Sequence, residues 1–246
     1  MKAVIPAAGE GKRFNKDSTY MHKCLVPING KALLLYTLEN LTNIKEITEC
    51  IVIIGENHEK IIDTIGTKVN DTPILFCKQK QSVKGVVGAI ESAVEEIGND
   101  DFILVLADEF VYENNYAEAI EKFKTSTNEC MVGLYYEKHL EYVKKNYTFI
   151  KSPDGFLYNF IEKPQIVYNN CSGTGNIIFK NTVLGAIKKV KENKERHEKE
   201  SVDLLNLICA TGKIQSFVVG NYYCNVNNMN DYLRIIEFLE GERNEK

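Results

Sequence analysis

Apolar, β-branched runs recur along the first half of the chain, at Ala3 to Ala7, Cys50 to Ile54, Ile74 to Cys77 and Phe102 to Ala107. Each is apolar throughout instead of alternating, which predicts strands buried on both faces, as in a parallel sheet. Between them lie segments with helical spacing, Leu33 to Leu41, Glu59 to Ile65 and Val86 to Ile97. Strand and helix in alternation predict a parallel sheet with helices on both faces.

After Asp108 the pattern loosens. A helix is predicted around Tyr116 to Lys124, then strands at Met131 to Tyr136 and Phe156 to Ile161, with a Ser152-Pro153-Asp154-Gly155 turn between these two as a hairpin requires. Further strands are expected at Asn176 to Phe179, Ile214 to Val219 and Tyr223 to Val226, so the sheet becomes mixed. Helices around Val183 to Lys191 and Val202 to Thr211 separate them, and an amphipathic helix from about Asp231 to Leu239 closes the chain. The charge-dense stretch Lys188 to Lys199, with Glu192 and Arg196 four apart, reads as a solvated helix surface. No repeat, linker or low-complexity tract marks a second domain, so residues 1–246 are expected to form one α/β domain with a mixed, mostly parallel sheet.

Composition narrows the chemistry. Hydrophobic residues are 44% and charged residues 26% of 246, the proportions of a soluble globular protein. The net charge of -4 comes with scattered Lys and Arg, which leaves no basic stripe for a nucleic acid. No apolar stretch is long enough to cross a bilayer, and the N-terminus carries no long apolar signal region, so a cytoplasmic protein without membrane partners is expected. Seven widely spaced cysteines, with no Cys-x-x-Cys pair, argue against a zinc cage or a disulfide framework. Those inside apolar runs, such as Cys50, read as small core hydrophobes.

The candidate chemistry begins at Ala7-Ala8-Gly9-Glu10-Gly11-Lys12-Arg13, a glycine turn after the first strand whose backbone can press its amides against a phosphate. It is neither a P-loop nor a full dinucleotide fingerprint, since Phe14 stands where the third glycine would be. Such a turn is also compatible with a purely structural role. Lys12, Arg13, Lys16 and Lys23 place several cations near it, which suits a triphosphate.

Ala8-Gly9-Glu10-Gly11-Lys12-Arg13, then His22-Lys23-Cys24-Leu25-Val26-Pro27, then Gly30-Lys31-Ala32, together resemble the N-terminal signature of the sugar nucleotidyltransferases, the nucleoside-diphosphate-sugar pyrophosphorylases. These include glucose-1-phosphate thymidylyl-, cytidylyl- and uridylyltransferases. Lys12 stands in place of the usual Ser or Thr, and His22 in place of Pro. The resemblance implies a Rossmann-like fold and a magnesium-dependent enzyme. By it Ala8, Gly9, Gly11 and Lys12 hold the nucleotide, Arg13 grips the β- and γ-phosphates, and Lys23 stabilises charge at the α-phosphate. Weaker motifs follow in the family's order. Gln79, with Gln81 as competitor, and Gly85 correspond to positions that read the base. Asp108, ending a buried strand, corresponds to a Mg²⁺ ligand; capping of the following helix is the alternative, and Glu109 is open to either role. Glu162 and Lys163 correspond to residues that bind sugar hydroxyls and the sugar phosphate, and Gly175 sits in the strand after them. Near the C-terminus Asn227 is the candidate second metal ligand, with Asn225 in reserve.

The implied reaction joins a nucleoside triphosphate to a sugar 1-phosphate or similar phosphomonoester and releases pyrophosphate. It needs no protein nucleophile, since the acceptor phosphate is already anionic; positioning and charge neutralisation suffice. A homo-oligomer is compatible with this. Three other readings stand beside it: a cytidylyltransferase for a phospho-alcohol such as phosphocholine, a non-catalytic binder of nucleotide sugars, and a dinucleotide-dependent oxidoreductase.

Overall fold

A computed structural model describes residues 1–9, 14, 22–56, 59–82, 84–193, 197–210 and 212–244. The first half lays down β1 (Lys2–Pro6), a short hairpin of β2 (Pro27–Ile28) and β3 (Lys31–Ala32), α1 (Leu33–Thr42), β4 (Glu49–Ile54), α2 (Glu59–Ile65), β5 (Lys68–Val69), β6 (Thr72–Lys78), α3 (Gly85–Ser92), α4 (Val94–Ile97) and β7 (Phe102–Leu104). The second half continues with β8 (Glu109–Asn114), α5 (Tyr116–Lys124), β9 (Cys130–Tyr136), α6 (Leu140–Val143), β10 (Tyr147–Lys151), β11 (Leu157–Glu162) and β12 (Cys171–Phe179). Then come α7 (Leu184–Ile187), α8 (Ser201–Cys209), β13 (Ile214–Val218), β14 (Gly220–Asn225) and α9 (Met229–Asn244).

Ten strands form one sheet ordered β11-β10-β12-β7-β1-β4-β6-β5, with β9 joined to β12 and β13 to β9. β7, β1, β4 and β6 are mutually parallel. β12 runs antiparallel to β7 and carries β9 and β10 beside it. Successive residues of the parallel strands enter opposite cores, as buried parallel strands demand. Ala3, Ile5, Cys50 and Val52 pack with Leu34 and Leu38 of α1 and with Phe123 of α5. Val4, Ile51 and Ile53 pack on the other face with Ile90 of α3 and Leu204 and Leu205 of α8. The sheet is therefore covered on both sides.

Several elements differ from the sequence reading. The helix expected at Val86 to Ile97 breaks at Ala93, whose φ is −104° and ψ 12°. The Ser152 to Gly155 turn does form a hairpin, but its first strand is β10 and not the Met131 to Tyr136 strand. β6 alternates in burial despite its apolar composition, because it lies outside β4 with only the two-residue β5 beyond it. Within Lys188 to Lys199 the described residues after Lys188 are not helical; Asn193 and Glu198 form an isolated bridge. β8 went unrecognised, since Glu109 interrupts the apolar pattern where the strand begins. The described cysteines are all free, with Cys24, Cys50, Cys77, Cys130 and Cys224 buried.

Candidate active site

The carboxyl ends of the parallel strands define one edge of the sheet, the usual place for a ligand crevice. β1 runs out through Ala7, whose amide donates to the Ile53 carbonyl at 2.7 Å, into Ala8 and Gly9. Among the described residues nothing lies within 4 Å of where a Gly9 Cβ would be. Gly11, Lys12, Arg13 and Lys16 lie outside the described residues. The chain returns with buried His22 and a single 3-10 turn at Lys23–Leu25, closed by Leu25 N–H to the His22 carbonyl at 3.0 Å. Gly30 belongs to the tight turn joining β2 and β3. Asn29 and Gly30 both have positive φ, 48° and 82°, the Asn-Gly pattern of a two-residue hairpin.

That turn aims Lys23 across the crevice. Its Nζ lies 2.5 Å from Asp108 Oδ2, and both side chains stay partly accessible. Asp108 follows an extended stretch that prolongs β7, in which Val105 N–H and Ala107 N–H donate to the Val4 and Pro6 carbonyls. The carbonyl of Asp108 in turn accepts from Val226 N–H at 2.9 Å, which locks it to the end of β14.

Glu109 turns the other way, into the protein. It is 2% exposed, and every group described as bonding its carboxylate is a donor. Gly175 N–H reaches Oε1 at 2.9 Å and Oε2 at 3.1 Å, Asn176 Nδ2 reaches Oε2 at 2.7 Å, and Tyr223 O–H reaches Oε1 at 2.7 Å. Burial, with the charge of Asp108 behind it, raises this carboxyl, and the three donor groups pull against the rise by favouring its ionised form. Gly175 has to be glycine here, since a Cβ would lie 2.3 Å from Leu106 Cγ and 3.0 Å from Glu109 Oε1.

β14 pairs with β8 so that Asn225 lies opposite Glu109. The Oδ1 of Asn225 is buried and has no hydrogen-bond partner among the described residues. Asn227, the position favoured by the sequence, is engaged differently. Its N–H donates to Asp231 Oδ2 at 3.0 Å, while Asp231 N–H donates to Asn228 Oδ1 at 3.1 Å. This reciprocal pattern starts α9 in the manner of a capping box.

On the nucleotide side, Gln79 Nε2 donates to the Gly85 carbonyl at 3.4 Å, whereas Gln81 pairs with Glu56 at 2.5 Å. Gly85 has φ of 82°, and a Cβ there would lie 2.5 Å from the Lys199 carbonyl. The Lys84 to Val87 turn is stitched to Lys199 through Lys199 N–H to the Lys84 carbonyl and Val87 N–H to the Lys199 carbonyl. On the acceptor side, Glu162 pairs with Tyr147, which pairs with Gly173, so Glu162 stands two strands from β12, roughly 10 Å across the sheet. Lys163 follows with φ of 45°, unusual for a long side chain. Its N–H donates to the Asn146 carbonyl at 2.7 Å, and its Nζ lies 3.5 Å from Glu162 Oε1. The structure thus joins Lys23 to Asp108, Glu109 to Gly175 and Gln79 to Gly85. Glu162 and Lys163 lie together, their side chains 3.5 Å apart.

Residues 2–242 match the family model described as Nucleotidyl transferase. The chain belongs to the nucleotidyl transferase family. Among curated relatives it is 25% identical over 213 residues to the UTP–glucose-1-phosphate uridylyltransferase AglF of Haloferax volcanii, covering 87% of this chain and 85% of that protein. It is 22% identical over 237 residues to a glucose-1-phosphate thymidylyltransferase of Streptomyces griseus, covering 96% and 65%. It is 24% identical over 247 residues to the bifunctional protein GlmU of Methanocaldococcus jannaschii, covering 97% of this chain but only 54% of that protein. In fold it superimposes on a UDP-glucose pyrophosphorylase crystallised with UDP-glucose with a TM-score of 0.86, at 19% identity and 98% coverage of both chains. The chain is accordingly an enzyme of the nucleotidyltransferase type, on a mixed Rossmann-like sheet. No described helix is long and apolar enough to cross a membrane.

The family generally uses Mg²⁺, and the residues present fit such a cation. Among the described residues no group of three His, Cys, Asp or Glu gathers as a closed metal cage. Magnesium is instead commonly bound through one or two protein oxygens with the rest from phosphates and water. Asp108 and the unpartnered Oδ1 of Asn225 are two such oxygens on adjoining strand ends.

Proposed function

We propose that the protein transfers a nucleoside monophosphate from a nucleoside triphosphate to a sugar 1-phosphate or closely similar phosphomonoester, releasing pyrophosphate. The observation that carries this reading is the Lys23 ammonium 2.5 Å from Asp108 at the carboxyl edge of the parallel sheet, beside the buried Asn225 Oδ1. Mg²⁺, held by Asp108 and Asn225 and with Asn227 shaping the loop behind them, would neutralise phosphate charge when bound. Lys23 has the reach and charge to meet the α-phosphate as negative charge builds there, with Arg13 on the departing pyrophosphate. Ala8, Gly9, Gly11 and Lys12 cradle the triphosphate. Gln79 and Gly85 bound the base. Lys163, held in its strained conformation beside Glu162, aims the acceptor phosphate, and Glu162 and the Gly175 strand receive the sugar. The relatives named for uridylyl and thymidylyl transfer to glucose 1-phosphate support trying UTP, dTTP and glucose 1-phosphate first.

The test is pyrophosphate release across a panel of triphosphates and phosphomonoesters, phosphocholine included. Turnover with at least one sugar 1-phosphate is expected, and Lys23→Ala or Asp108→Ala should lower kcat by at least about a thousandfold in folded protein, the scale set by losing a preorganised charge at a transition state. Near wild-type rates in both variants would overturn the assignment.

A further inference from the structure

The start of β8 after Asp108, the end of β14 at Asn225 and the middle of β12 at Gly175 are joined by one side chain. Glu109 follows Asp108 directly in the chain, bonds the backbone N–H of Gly175 and the neighbouring Asn176 side chain on β12, and bonds the hydroxyl of Tyr223, two residues before Asn225 on β14. Asn176 is itself fixed by the Tyr116 hydroxyl, which donates to its Oδ1 at 2.6 Å, and its Nδ2 also reaches Thr174 Oγ1 at 3.0 Å. Both carboxylate oxygens are thus occupied from inside the protein, so Glu109 does not face a ligand. Apolar contacts would hold three strands at the right spacing without fixing their longitudinal register to fractions of an ångström. Bonds from one rigid carboxylate to a backbone amide and two side chains do fix it.

We propose that Glu109 is a positioning residue that sets Asp108 and Asn225 relative to each other and to the Gly175 strand. It is the outer support of the metal-binding pair, and it acts through them without touching substrate. The proposal rests on the nucleotidyl-transfer reading above. Such outer partners commonly carry about 10- to 100-fold of metal affinity or activity.

The test compares wild type, Glu109→Gln, the double variant Glu109→Gln/Asn176→Asp, and Tyr223→Phe. Each is read by Mn²⁺ binding in electron paramagnetic resonance, by kcat and KM, and by melting temperature. In Glu109→Gln an amide N–H₂ meets the Asn176 N–H₂, so Mn²⁺ affinity and kcat should each fall about tenfold or more while the triphosphate KM changes little. The double variant exchanges donor and acceptor between positions 109 and 176 but turns a carboxylate oxygen toward Thr174 Oγ1, whose proton goes to the Gly133 carbonyl, so it should recover both readouts in part. Tyr223→Phe removes a single bond and keeps the ring. It should shift Mn²⁺ affinity and kcat in the same direction, and it serves if Glu109→Gln does not fold. Variants that melt lower but keep wild-type Mn²⁺ affinity and kcat would overturn the proposal, as would a double variant that regains melting temperature without regaining either readout. A wild type that neither binds Mn²⁺ nor releases pyrophosphate would fail earlier, sinking the functional reading and this inference with it.

Discussion

At Asp108 the counter-charge is the Lys23 ammonium, 2.5 Å away. A carboxylate that binds a cation in one state and an ammonium in another sets the two in competition. Removing the ammonium should therefore help the metal in the absence of nucleotide, although it destroys catalysis. Lys23→Met is expected to bind Mn²⁺ several-fold more tightly than wild type by direct titration without triphosphate, the scale of one partly exposed charge interaction of about 1 kcal/mol. Unchanged or weaker binding would show that the pair does not compete. At this scale the sequence points to Asp108 because a carboxylate ends an apolar run and to Lys23 because it lies in a basic loop after a glycine turn, and the structure pairs the two. The inward turn of Glu109 was not legible, since its three donors come from Gly175, Asn176 and Tyr223, far along the chain and brought together only by strand register. The sequence favours Asn227 over Asn225; what bears on that choice, the Asn227 backbone N–H bonded to Asp231 and the unpartnered Oδ1 of Asn225, belongs to the start of α9 and the end of β14 and is not visible in the sequence.

Among elements, the turn opening α3 shows how a glycine read as a ligand contact carries a packing requirement as well. Gly85 combines a left-handed backbone with a Cβ position only 2.5 Å from the Lys199 carbonyl, and the Lys199 backbone pairs with Lys84 and Val87 around it. Gly85→Ala should cost about 1–3 kcal/mol for the backbone conformation alone, push the Lys199 segment away and raise the triphosphate KM more than it lowers kcat. Urea unfolding combined with steady-state kinetics would check both parts, and an unaltered KM would separate the turn from nucleotide binding. The neighbouring charged stretch had looked like a plain solvated helix because its composition says nothing of backbone pairing. Lys199 is in fact tied by its Nζ to Glu91 at 2.7 Å and by its backbone to the α3 turn. The helices α1, α2 and α5 are legible nearly to the residue, as period and burial agree there. α4 and α7 were not, being single turns whose limits are set by contacts with other elements.

For the whole molecule, stability should carry an acid-side optimum contributed by Glu137. Burial raises this carboxyl to about 7 against the opposing pull of Arg234 and Lys145, with Glu141 adding to the rise. Between the ordinary carboxylate range and about pH 7 the folded state therefore holds more protons than the unfolded state. Stability from this group is present at the lower pH and is lost as pH climbs through that window. Urea midpoints at pH 5 and pH 8 should differ in wild type, and the difference should shrink in Glu137→Gln; an identical difference in both proteins would remove Glu137 as its source.

β12 has a consequence for how such a molecule is made. Its residues Ile177 to Phe179 supply the antiparallel neighbour of β7 and simultaneously join β9. Until the ribosome has delivered that stretch, a nascent chain carrying the glycine turn, Lys23 and Asp108 presents β7 as a bare edge, the kind of surface that pairs with other chains. The edge of the parallel half is thus covered by a strand that lies later in the chain. Its protection during synthesis depends on the same strand that brings Gly175 to Glu109.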